Sequence, residues 1–509
     1  MDRYTLAEVL RKHRTAGSVN AERIAVTFEG ASLTYDELDV RSDRVAAGLR
    51  ARGFAHGDRV GVLLYNRLEW LELFFAVAKL GGVVVPINYL LKRKEVEFIL
   101  DDCQARWLVF EKALADVAPV DGSRRIVTID TSVDGGIDYQ ELLSADADDA
   151  PRDAAKADDL VLLQYTSGTT GTPKGAMHTH STVLWNSFHQ IVDYEITAKD
   201  VYLIVPALCW AAGLHDIALA TLWRGGRVVL SPSTGFEPTR LLATVQRERV
   251  TATLMVPTVL KRVLAEPTLG DYDTSSLRLI VSGGEPVPVT AIEDAQRKLP
   301  NCAVLQVYGM SEFPTMMSYL PAEDAVRKLG SAGRACSAAE LRIVDDKGND
   351  VPPGVVGEII CRSPANMIGY YNRPEATKAA LAGGWLHTGD LATYDEEGYI
   401  FISGRAKDMI ISGGLNVYPA EVERVLAQHD DVIEAAVVGK PDDKWGEVGD
   451  ALVVVRPGAT VTEDELLEHM RAELANYKIP KRITLTTEPL PRTTSGKVQK
   501  FRVKELLQS

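Results

Sequence analysis

Segments with the apolar spacing of amphipathic helices alternate with short, continuously apolar segments along most of this chain. Residues 34–53 begin at a threonine that can cap a helix, carry apolar residues at helical spacing and end at a glycine. The apolar run 59–64 follows, and a second helical segment, 69–80, leads into the apolar run 83–85. Strands buried on both faces and separated by helices are typical of parallel sheets. The alternation therefore predicts an α/β fold, with a large N-terminal domain of stacked, mostly parallel sheets flanked by helices.

The pattern changes near Gly404, where a second domain is predicted to begin. Residues 405–509 show helices starting at Pro419 and after Thr462, with apolar strands at 435–438 and 451–455 between them. Proline is favoured at the first position of a helix, and Thr462 with Glu465 has the spacing of a capping box. We therefore predict two domains, residues 1–404 and a small mobile α+β domain of residues 405–509.

Charge restricts the partners that the chain can have. Its 56 Lys and Arg residues are outnumbered by 70 Asp and Glu residues, which gives a formal charge of −14. A field of this sign repels nucleic acids and acidic membrane surfaces. A phosphate-bearing substrate would then have to be held by local backbone N–H groups, a metal ion and a few placed cations.

The sequence favours a cytoplasmic protein. Its five cysteines are far apart and form no C-x-x-C pair, which fits a reducing compartment. The start lacks the pattern of a signal peptide, the most apolar stretch (71–91) is interrupted by charged residues and a proline, and the last three residues do not match the peroxisomal address. We expect no membrane span, and a homodimer is left open.

A loop rich in glycine, serine and threonine follows the apolar strand 160–163. Residues 165–175 read Y-T-S-G-T-T-G-T-P-K-G, with three glycines that let the backbone approach an anion and a lysine that adds positive charge. The loop lacks the Walker A spacing and the dinucleotide-binding spacing of glycines, which argues against P-loop NTPases, kinases and Rossmann dehydrogenases. A flexible linker is the alternative. The predicted phosphate-binding residues are Thr166, Ser167, Gly168, Thr169, Thr170, Gly171 and Lys174.

This loop resembles the signature of the adenylate-forming superfamily, which includes acyl- and aryl-CoA ligases, luciferases and the adenylation domains of peptide synthetases. Further segments resemble motifs of that family in the expected order along the chain: the adenine-side turn Gly283-Gly284-Glu285-Pro286, the segment Tyr308-Gly309-Met310-Ser311-Glu312, and Trp385-Leu386-His387-Thr388-Gly389-Asp390 with the later Gly404-Arg405.

The resemblance implies a role for each of these residues. Tyr308 would stack on adenine, and Ser311 would contact the α-phosphate or the acyl carboxylate. Glu312 would hold Mg²⁺ together with Thr170, since hard cations prefer oxygen ligands. Asp390 would bind the ribose hydroxyls, and Arg405 would add a second contact to the ribose or a phosphate.

Residues 491–497, P-R-T-T-S-G-K, resemble the last motif of the family. By that resemblance Lys497 is the cation that offsets negative charge when a carboxylate attacks the α-phosphate. The small domain would rotate between the two half-reactions about Lys407, the hinge position.

The resemblance also indicates coenzyme A as the acyl acceptor. By the resemblance, residues 412–416 would line the tunnel for the pantetheine arm. Residues 444–447 and 476–481 resemble the segments that aryl-CoA ligases use around the CoA nucleotide. The predicted CoA-binding residues are Gly413, Gly414, Trp445, Tyr477, Lys478 and Lys481. A free-standing adenylation enzyme that loads a carrier protein or another acceptor is the alternative.

The acid-binding segment departs from the family pattern. Either Cys209 or Trp210, depending on the alignment, stands where the family commonly has histidine. We predict an acyl pocket formed by Trp210, Leu214, His215 and Thr258, which would suit an aromatic, alicyclic or medium-to-long-chain acid. His178-Thr179-His180 could suggest a metal site, but no third ligand has suitable spacing, so a surface loop is the prediction there.

The resemblance thus implies an AMP-forming acid–thiol ligase. A carboxylic acid and ATP would give acyl-AMP and pyrophosphate, and CoA would then take the acyl group and release AMP. ATP, Mg²⁺ and coenzyme A are the implied cofactors and substrates.

Overall fold

The computed structural model describes residues 4–14, 20–151, 154–166, 173–285, 287–413, 415–442, 444–492 and 498–508. The strands in this part of the chain are β1 (Ile24–Phe28), β2 (Ala31–Thr34), β3 (Arg59–Leu63), β4 (Val83–Pro86), β5 (Trp107–Glu111), β6 (Arg125–Ile129), β7 (Ile137–Asp138), β8 (Leu160–Thr166), β9 (Lys174–Thr179), β10 (Val201–Ile204), β11 (Arg227–Leu230), β12 (Ala252–Leu254), β13 (Leu279–Gly283), β14 (Ala303–Met310), β15 (Phe313–Leu320), β16 (Arg334–Ala335), β17 (Glu340–Val344), β18 (Gly357–Arg362), β19 (Gly369–Tyr370), β20 (Leu386–Tyr394), β21 (Ile400–Arg405), β22 (Ile410–Ser412), β23 (Leu415–Val417), β24 (Val432–Asp442), β25 (Gly446–Val455) and β26 (Arg482–Thr486).

The α-helices of the same residues are α1 (Glu8–Arg11), α2 (Tyr35–Ala51), α3 (Leu68–Lys79), α4 (Arg93–Asp102), α5 (Tyr139–Leu143), α6 (His180–Asp193), α7 (Ala211–Leu214), α8 (Ala218–Arg224), α9 (Pro238–Glu248), α10 (Pro257–Leu264), α11 (Val289–Lys298), α12 (Pro374–Ala380), α13 (Pro419–Leu426), α14 (Glu463–Glu473) and α15 (Lys500–Gln508).

Two large sheets form the centre of the N-terminal part. The first has nine strands in the order β16-β15-β14-β13-β12-β10-β11-β1-β2, and the second has eight in the order β19-β9-β8-β4-β3-β5-β6-β7. The inner strands pair in parallel, while antiparallel strands lie at the edges, β2, β15 and β16 in the first sheet and β9 and β19 in the second. The prediction of an α/β fold with mostly parallel sheets is confirmed.

Helix α3 contacts strands of both sheets, β1 in the first and β4 in the second. From Trp70 to Lys79 every residue of this helix is buried. A helix that is apolar around its whole circumference has to lie inside the protein. Glu72 and Lys79 are the charged exceptions: Glu72 accepts from Arg41 Nε at 2.6 Å, and Lys79 Nζ donates to Asp39, Ser42 and Asp43 at 2.5–2.7 Å. These partners offset the cost of burying the two charges.

Local signals set the ends of the predicted helices. Thr34 caps α2, and its side chain and that of Glu37 form a capping box. Pro419 is the first residue of α13, and Thr462 with Glu465 forms the second predicted capping box at α14. These elements are confirmed within one or two residues, except that the C-terminal strands are longer than predicted, because residues 432–442 and 446–455 pair along their whole length.

The chain separates into two compact units. The first comprises Met1–Glu340 and Cys361–Leu386, and the second comprises Leu341–Ile360 and His387–Ser509. The second unit contains most of a four-stranded sheet, β17-β18-β20-β21, and a five-stranded sheet in which β26 joins β25. The division into two units is based on compactness, whereas the boundary predicted after Gly404 marks the start of the domain that would move during the reaction. That boundary stays a prediction.

Every helix in the described ranges is too short or too polar to cross a lipid bilayer.

Gly48 is required where α2 packs against α5. A Cβ atom at this position would lie 2.7 Å from Leu142 Cα and 2.8 Å from Leu142 O, both backbone atoms, so the backbone of α5 would have to shift. We predict that Gly48→Ala lowers the free energy of unfolding by about 1–3 kcal/mol, because overpacking outweighs the helix propensity of alanine. Urea unfolding followed by circular dichroism measures this.

Gly270→Ala is the matched control, since Gly270 has open space around its Cβ position. It should change the stability by no more than about 0.5 kcal/mol. Equal effects of the two substitutions would contradict the packing argument.

Candidate adenylation site

The phosphate loop is closed at its base by an antiparallel pair of strands. Thr166 ends β8, Lys174 begins β9, and the two residues are direct partners in the ladder. The structure therefore brings together the first and last residues of the predicted phosphate-binding set. Its other members, Ser167, Gly168, Thr169, Thr170 and Gly171, lie outside the described residues.

A second hairpin, β14–β15, carries the predicted adenine and metal residues. Tyr308 and Gly309 lie in the last three residues of β14, and Glu312 lies in the turn before β15 with 7% of its surface exposed. Gly309 has no space for a side chain, because a Cβ atom would lie 1.9 Å from Thr315 O across the hairpin. The tight turn thus fixes the direction in which the backbone presents Ser311 and Glu312.

The predicted adenine-side turn lies beside this hairpin. Gly283 is the last residue of β13 and pairs with Val307, the residue before Tyr308. A Cβ on Gly283 would meet Val307 O at 2.4 Å, and Gly284 has φ = +85°, a conformation that favours glycine. Glu285 follows directly, so the sheet places the turn 283–285 next to Tyr308, as a shared nucleotide site requires.

His178 connects the phosphate hairpin to the metal-site turn. Its Nε2 donates a hydrogen bond of 2.8 Å to Ser311 O, across 133 residues of sequence. Complete burial lowers the pKa of His178 to about 4, so the ring is neutral at physiological pH. A neutral ring with Nε2 protonated can hold the backbone of Ser311 in place without adding charge to the site.

Residues 367–373 cross from the metal-site turn to the phosphate hairpin, and we call them the crossing segment. The N–H of Met367 donates to Glu312 O, and the N–H groups of Ile368 and Tyr371 donate to backbone oxygens of β9. The crossing segment therefore ties the two hairpins through backbone hydrogen bonds, which side-chain substitution does not remove.

Tyr370 lies in the crossing segment and contacts two predicted site residues. Its hydroxyl donates to Glu312 Oε1 at 2.8 Å, and Lys174 Nζ lies 5.3 Å from the centre of its ring. Glu312 Oε2 has no hydrogen-bond partner within the described residues. An oxygen ligand of this kind suits Mg²⁺, so the residues present fit the predicted metal.

The predicted ribose residues of the second unit form an ion pair. Asp390 and Arg405 are partners in the β20–β21 ladder, and Arg405 Nε lies 2.8 Å from Asp390 Oδ1. Gly389, with φ = +70°, turns the chain before the aspartate, and its N–H donates to Glu358. Lys407, the predicted hinge, lies in a short 3₁₀ turn, Ala406–Asp408.

The predicted CoA residues fall into two groups in the second unit. Gly413 donates its N–H to Trp445 O and has φ = +59°, and a Cβ there would lie 2.8 Å from the Trp445 ring. Lys478 follows Tyr477 but bonds both carboxylate oxygens of Glu421 at 2.7 and 2.8 Å. That pairing offsets the charge that Lys478 would offer to a phosphate.

Lys481 uses its backbone N–H in a hydrogen bond to Gly449 O. Gly414 and Lys497 lie outside the described residues.

Three aromatic side chains are in contact at the segment around Cys209 and Trp210, which departs from the family pattern. The rings of Trp210 and Tyr89 are stacked, with centroids 6.4 Å apart and an interplanar angle of 21°, and Tyr65 meets Tyr89 edge-on at 4.9 Å. Burial raises the pKa of the Cys209 thiol to about 12. Cys209 is therefore a neutral thiol at physiological pH and does not serve as an acyl-accepting thiolate.

The four predicted pocket residues lie at different depths. Leu214 and His215 are each 1% exposed, Trp210 is half-buried, and Thr258 is exposed at the start of α10. Within the described residues neither ring nitrogen of His215 has a hydrogen-bond partner. Burial lowers the pKa of His215 to about 3, so this ring is neutral as well.

Helix α6, which follows β9, holds the turn after α7. Asn186 Nδ2 and Gln190 Nε2 both donate to His215 O, at 2.8 and 3.1 Å. Gln190 Oε1 accepts from the N–H of Ile217, a β-branched residue with φ = +63°. Such a conformation costs of order 1–3 kcal/mol and persists only where surrounding contacts impose it.

The prediction of a surface loop at 178–180 is wrong. His178 and His180 are both 0% exposed, at the end of β9 and the start of α6. His180 Nδ1 accepts a hydrogen bond from the N–H of Leu6, a contact that local polarity does not reveal. Neither histidine belongs to a potential metal-binding cluster among the described residues.

Sequence reasoning missed Tyr370, His178 and Gln190 as site residues. Each acts through a partner far along the chain, 58, 133 and 125 residues away respectively. Only the position of Tyr370 directly after a glycine hinted at a constrained backbone.

The buried carboxyl of Asp216 makes stability depend on pH. Burial raises its pKa from 3.8 to about 7, although the hydroxyls of Tyr194 and Thr315 lower it in part. Between pH 4 and 7 the Asp216 carboxyl loses its proton in the unfolded chain but keeps it in the folded protein. The contribution of Asp216 to stability therefore falls as pH rises from 4 to 7 and is constant above pH 7.

We predict that Asp216→Asn gains stability relative to the wild type as pH rises from 4 to 7, by up to about 4 kcal/mol. The measurement is the difference in melting temperature between the two proteins at each pH. Asp200→Asn is the control: although partial burial opposes the shift, Arg278 and neighbouring hydrogen bonds lower the pKa of Asp200 below 3.8, so its difference from wild type should stay nearly constant between pH 4 and 7. A difference between Asp216→Asn and wild type that does not vary with pH would contradict the assignment.

Comparison with known proteins agrees with this geometry. The AMP-binding enzyme family model matches residues 13–371, and the AMP-binding enzyme C-terminal domain matches residues 421–497. The chain is 38% identical to an indoleacetate–CoA ligase of Aromatoleum aromaticum, over 99% of this chain and 98% of that protein. It is 41% identical to a feruloyl-CoA synthase of Amycolatopsis, over 94% of this chain and 95% of that protein.

A solved structure shows the same fold. The o-succinylbenzoate CoA synthetase of Bacillus subtilis, in complex with its acyl-adenylate intermediate, superimposes with a TM-score of 0.87. It is 32% identical, with 99% of this chain and 98% of that chain covered. The predicted function is confirmed over the alternative of a non-CoA acceptor: the chain belongs to the AMP-binding enzyme family and is an AMP-forming acyl-CoA ligase.

Proposed function

We propose that the acid activated by this ligase is aromatic. The observation that carries the proposal is the stacked pair Tyr89–Trp210, since Trp210 belongs to the segment that departs from the family pattern. Stacked and edge-on aromatic pairs favour a further flat ring over a flexible alkyl chain. The relatives that act on indoleacetate and ferulate, both ring acids, support this choice.

In the first half-reaction the acid carboxylate attacks the α-phosphorus of ATP, and pyrophosphate leaves. The loop from Thr166 to Lys174 would bind the triphosphate, with Lys174 as a cation and the glycines allowing backbone N–H groups to approach. Glu312 and Thr170 would hold Mg²⁺, which would neutralise phosphate charge. Ser311 would orient the carboxylate or the α-phosphate.

Lys497 would supply the remaining positive charge. The attack brings two anions together, and a preorganised ammonium group stabilises the charge as it develops. Tyr308 and the turn 283–285 would hold adenine, while Asp390 and Arg405 would bind the ribose.

In the second half-reaction the CoA sulfur attacks the acyl carbonyl, the thiol proton is lost and AMP leaves. The segment after Lys407 would rotate and bring Gly413 and Gly414 to the pantetheine arm, where glycine permits close approach. Trp445 and Tyr477 would pack on the CoA adenine, with Lys478 or Lys481 near a phosphate. Lys478 would have to exchange its pairing with Glu421 for that contact.

An acid panel tests the proposed substrate class. We predict that kcat/KM for indole-3-acetate, ferulate or benzoates exceeds that for C8–C16 fatty acids by at least about tenfold. The assay is pyrophosphate release with CoA present, with acyl-CoA identified by mass spectrometry. A fatty acid as the best substrate would overturn the proposal.

Trp210→Ala should reduce this preference for aromatic acids by about tenfold. Trp223→Ala is the control, because Trp223 is a half-buried tryptophan that contacts Tyr4 and Phe188 instead. If both substitutions lower the preference equally, the Tyr89–Trp210 pair does not determine it.

We predict that Lys497→Ala slows adenylate formation by about 10²–10³-fold and leaves thiolysis of added acyl-AMP within about threefold of wild type. The two half-reactions are measured separately, by pyrophosphate exchange and by acyl-CoA formation from synthetic acyl-AMP. Lys500→Ala, which removes a lysine paired with Glu423, is the control. Equal losses in both half-reactions would contradict a role confined to adenylation.

A further inference from the structure

Tyr370 contacts the two groups of the site that carry opposite charge. Its hydroxyl donates to Glu312 Oε1 at 2.8 Å, and its ring lies 5.3 Å from the ammonium nitrogen of Lys174. A tyrosine can make both contacts, because its hydroxyl is a donor in the ring plane and its ring face attracts cations.

The backbone around Tyr370 leaves the side chain little freedom. Tyr370 pairs with Ala176 in the β19–β9 ladder, and its N–H donates to Thr377 Oγ1 at 2.8 Å. Gly369 has φ = +141°, and a Cβ there would lie 2.6 Å from Thr377 Cγ2. The position of the ring is therefore set by the sheet.

The ladder also explains why Lys174 reaches this ring. Lys174 precedes Ala176 by two residues on β9, so its side chain leaves the same face of the sheet as that of Ala176. Diagonal neighbours across paired strands lie within reach of long and aromatic side chains. The contact between Lys174 and Tyr370 follows from strand register.

The hydrogen bond from Tyr370 fixes the rotation of the Glu312 carboxylate. The terminal torsion of a glutamate is broad, and a single strong donor on one oxygen selects one orientation. With Oε1 held by the hydroxyl and the backbone of Glu312 held by Met367, Oε2 is the oxygen left for a metal ion.

We propose that Tyr370 is a positioning residue that orients Glu312 toward the ATP-bound metal with its hydroxyl and Lys174 toward the triphosphate with its ring. The inference rests on the proposed metal role of Glu312. It assigns two separable effects to one side chain: the hydroxyl acts on metal binding, and the ring acts on phosphate binding.

Calorimetric titration separates the two effects. Each variant is titrated with ATP in excess Mg²⁺ and with ATP in EDTA, and the ratio of the two affinities gives the gain due to the metal. We expect Tyr370→Phe to lower that gain about tenfold and to leave metal-free ATP affinity within about twofold. We expect Tyr370→Leu to lower metal-free affinity about fivefold as well, because the ring contact with Lys174 is lost.

Tyr371→Phe is the matched control. Tyr371 is the next residue, and its hydroxyl contacts Gln104 Oε1 at 3.3 Å and not Glu312. It should leave both affinities unchanged. The Mg²⁺ concentration that gives half-maximal pyrophosphate release should rise in Tyr370→Phe and not in Tyr371→Phe, an effect that a loss of stability alone does not produce.

Glu312→Gln distinguishes failure of this inference from failure of the proposed function. If Glu312→Gln retains the gain due to the metal, the metal role of Glu312 is wrong. If Glu312→Gln loses the gain and Tyr370→Phe keeps it, only the role of Tyr370 is overturned. In the double variant Tyr370→Phe should add nothing to Glu312→Gln, and additive effects would show that the hydroxyl does not act through Glu312.

Discussion

Strand β9 is paired along both edges, and the adenylation site depends on that pairing. On one side β8 fixes the separation of Thr166 and Lys174, the two ends of the phosphate loop. On the other side β19 brings the crossing segment against β9, and the same segment holds Glu312 through Met367 and Tyr370. Backbone hydrogen bonds thus set the distance between the phosphate loop and the metal-site turn before any ligand arrives.

The interior of the site is polar but carries little charge. His178 and His215 are buried and neutral, and the Cys209 thiol is protonated. Lys174 and Glu312 are the charged side chains beside the phosphate loop and the metal-site turn, where an anionic substrate and a cation would be bound. In a protein with a formal charge of −14, this separation lets local groups bind a triphosphate that the overall field repels.

Local sequence predicted the elements well where the signal lies within one turn or one strand. The capping boxes at Thr34 and Thr462, the proline at the start of α13 and the apolar runs of the parallel strands all depend on neighbours a few residues away. The same reasoning failed at His178–His180, because three polar residues in a row give no sign that a sheet and a helix will cover them.

The sequence by itself determined the α/β class, the helix ends and the order of the nucleotide motifs, since each is encoded in short spacings of glycine, apolar and charged residues. Only the tertiary structure decided that Tyr370 meets Glu312 and Lys174, that His178 supports Ser311, and that Gln190 holds the strained turn at Ile217. The physical reason is that the pairing of strands and the packing of helices against them, both set by burial of the core, bring together residues that are 25 to more than 190 positions apart.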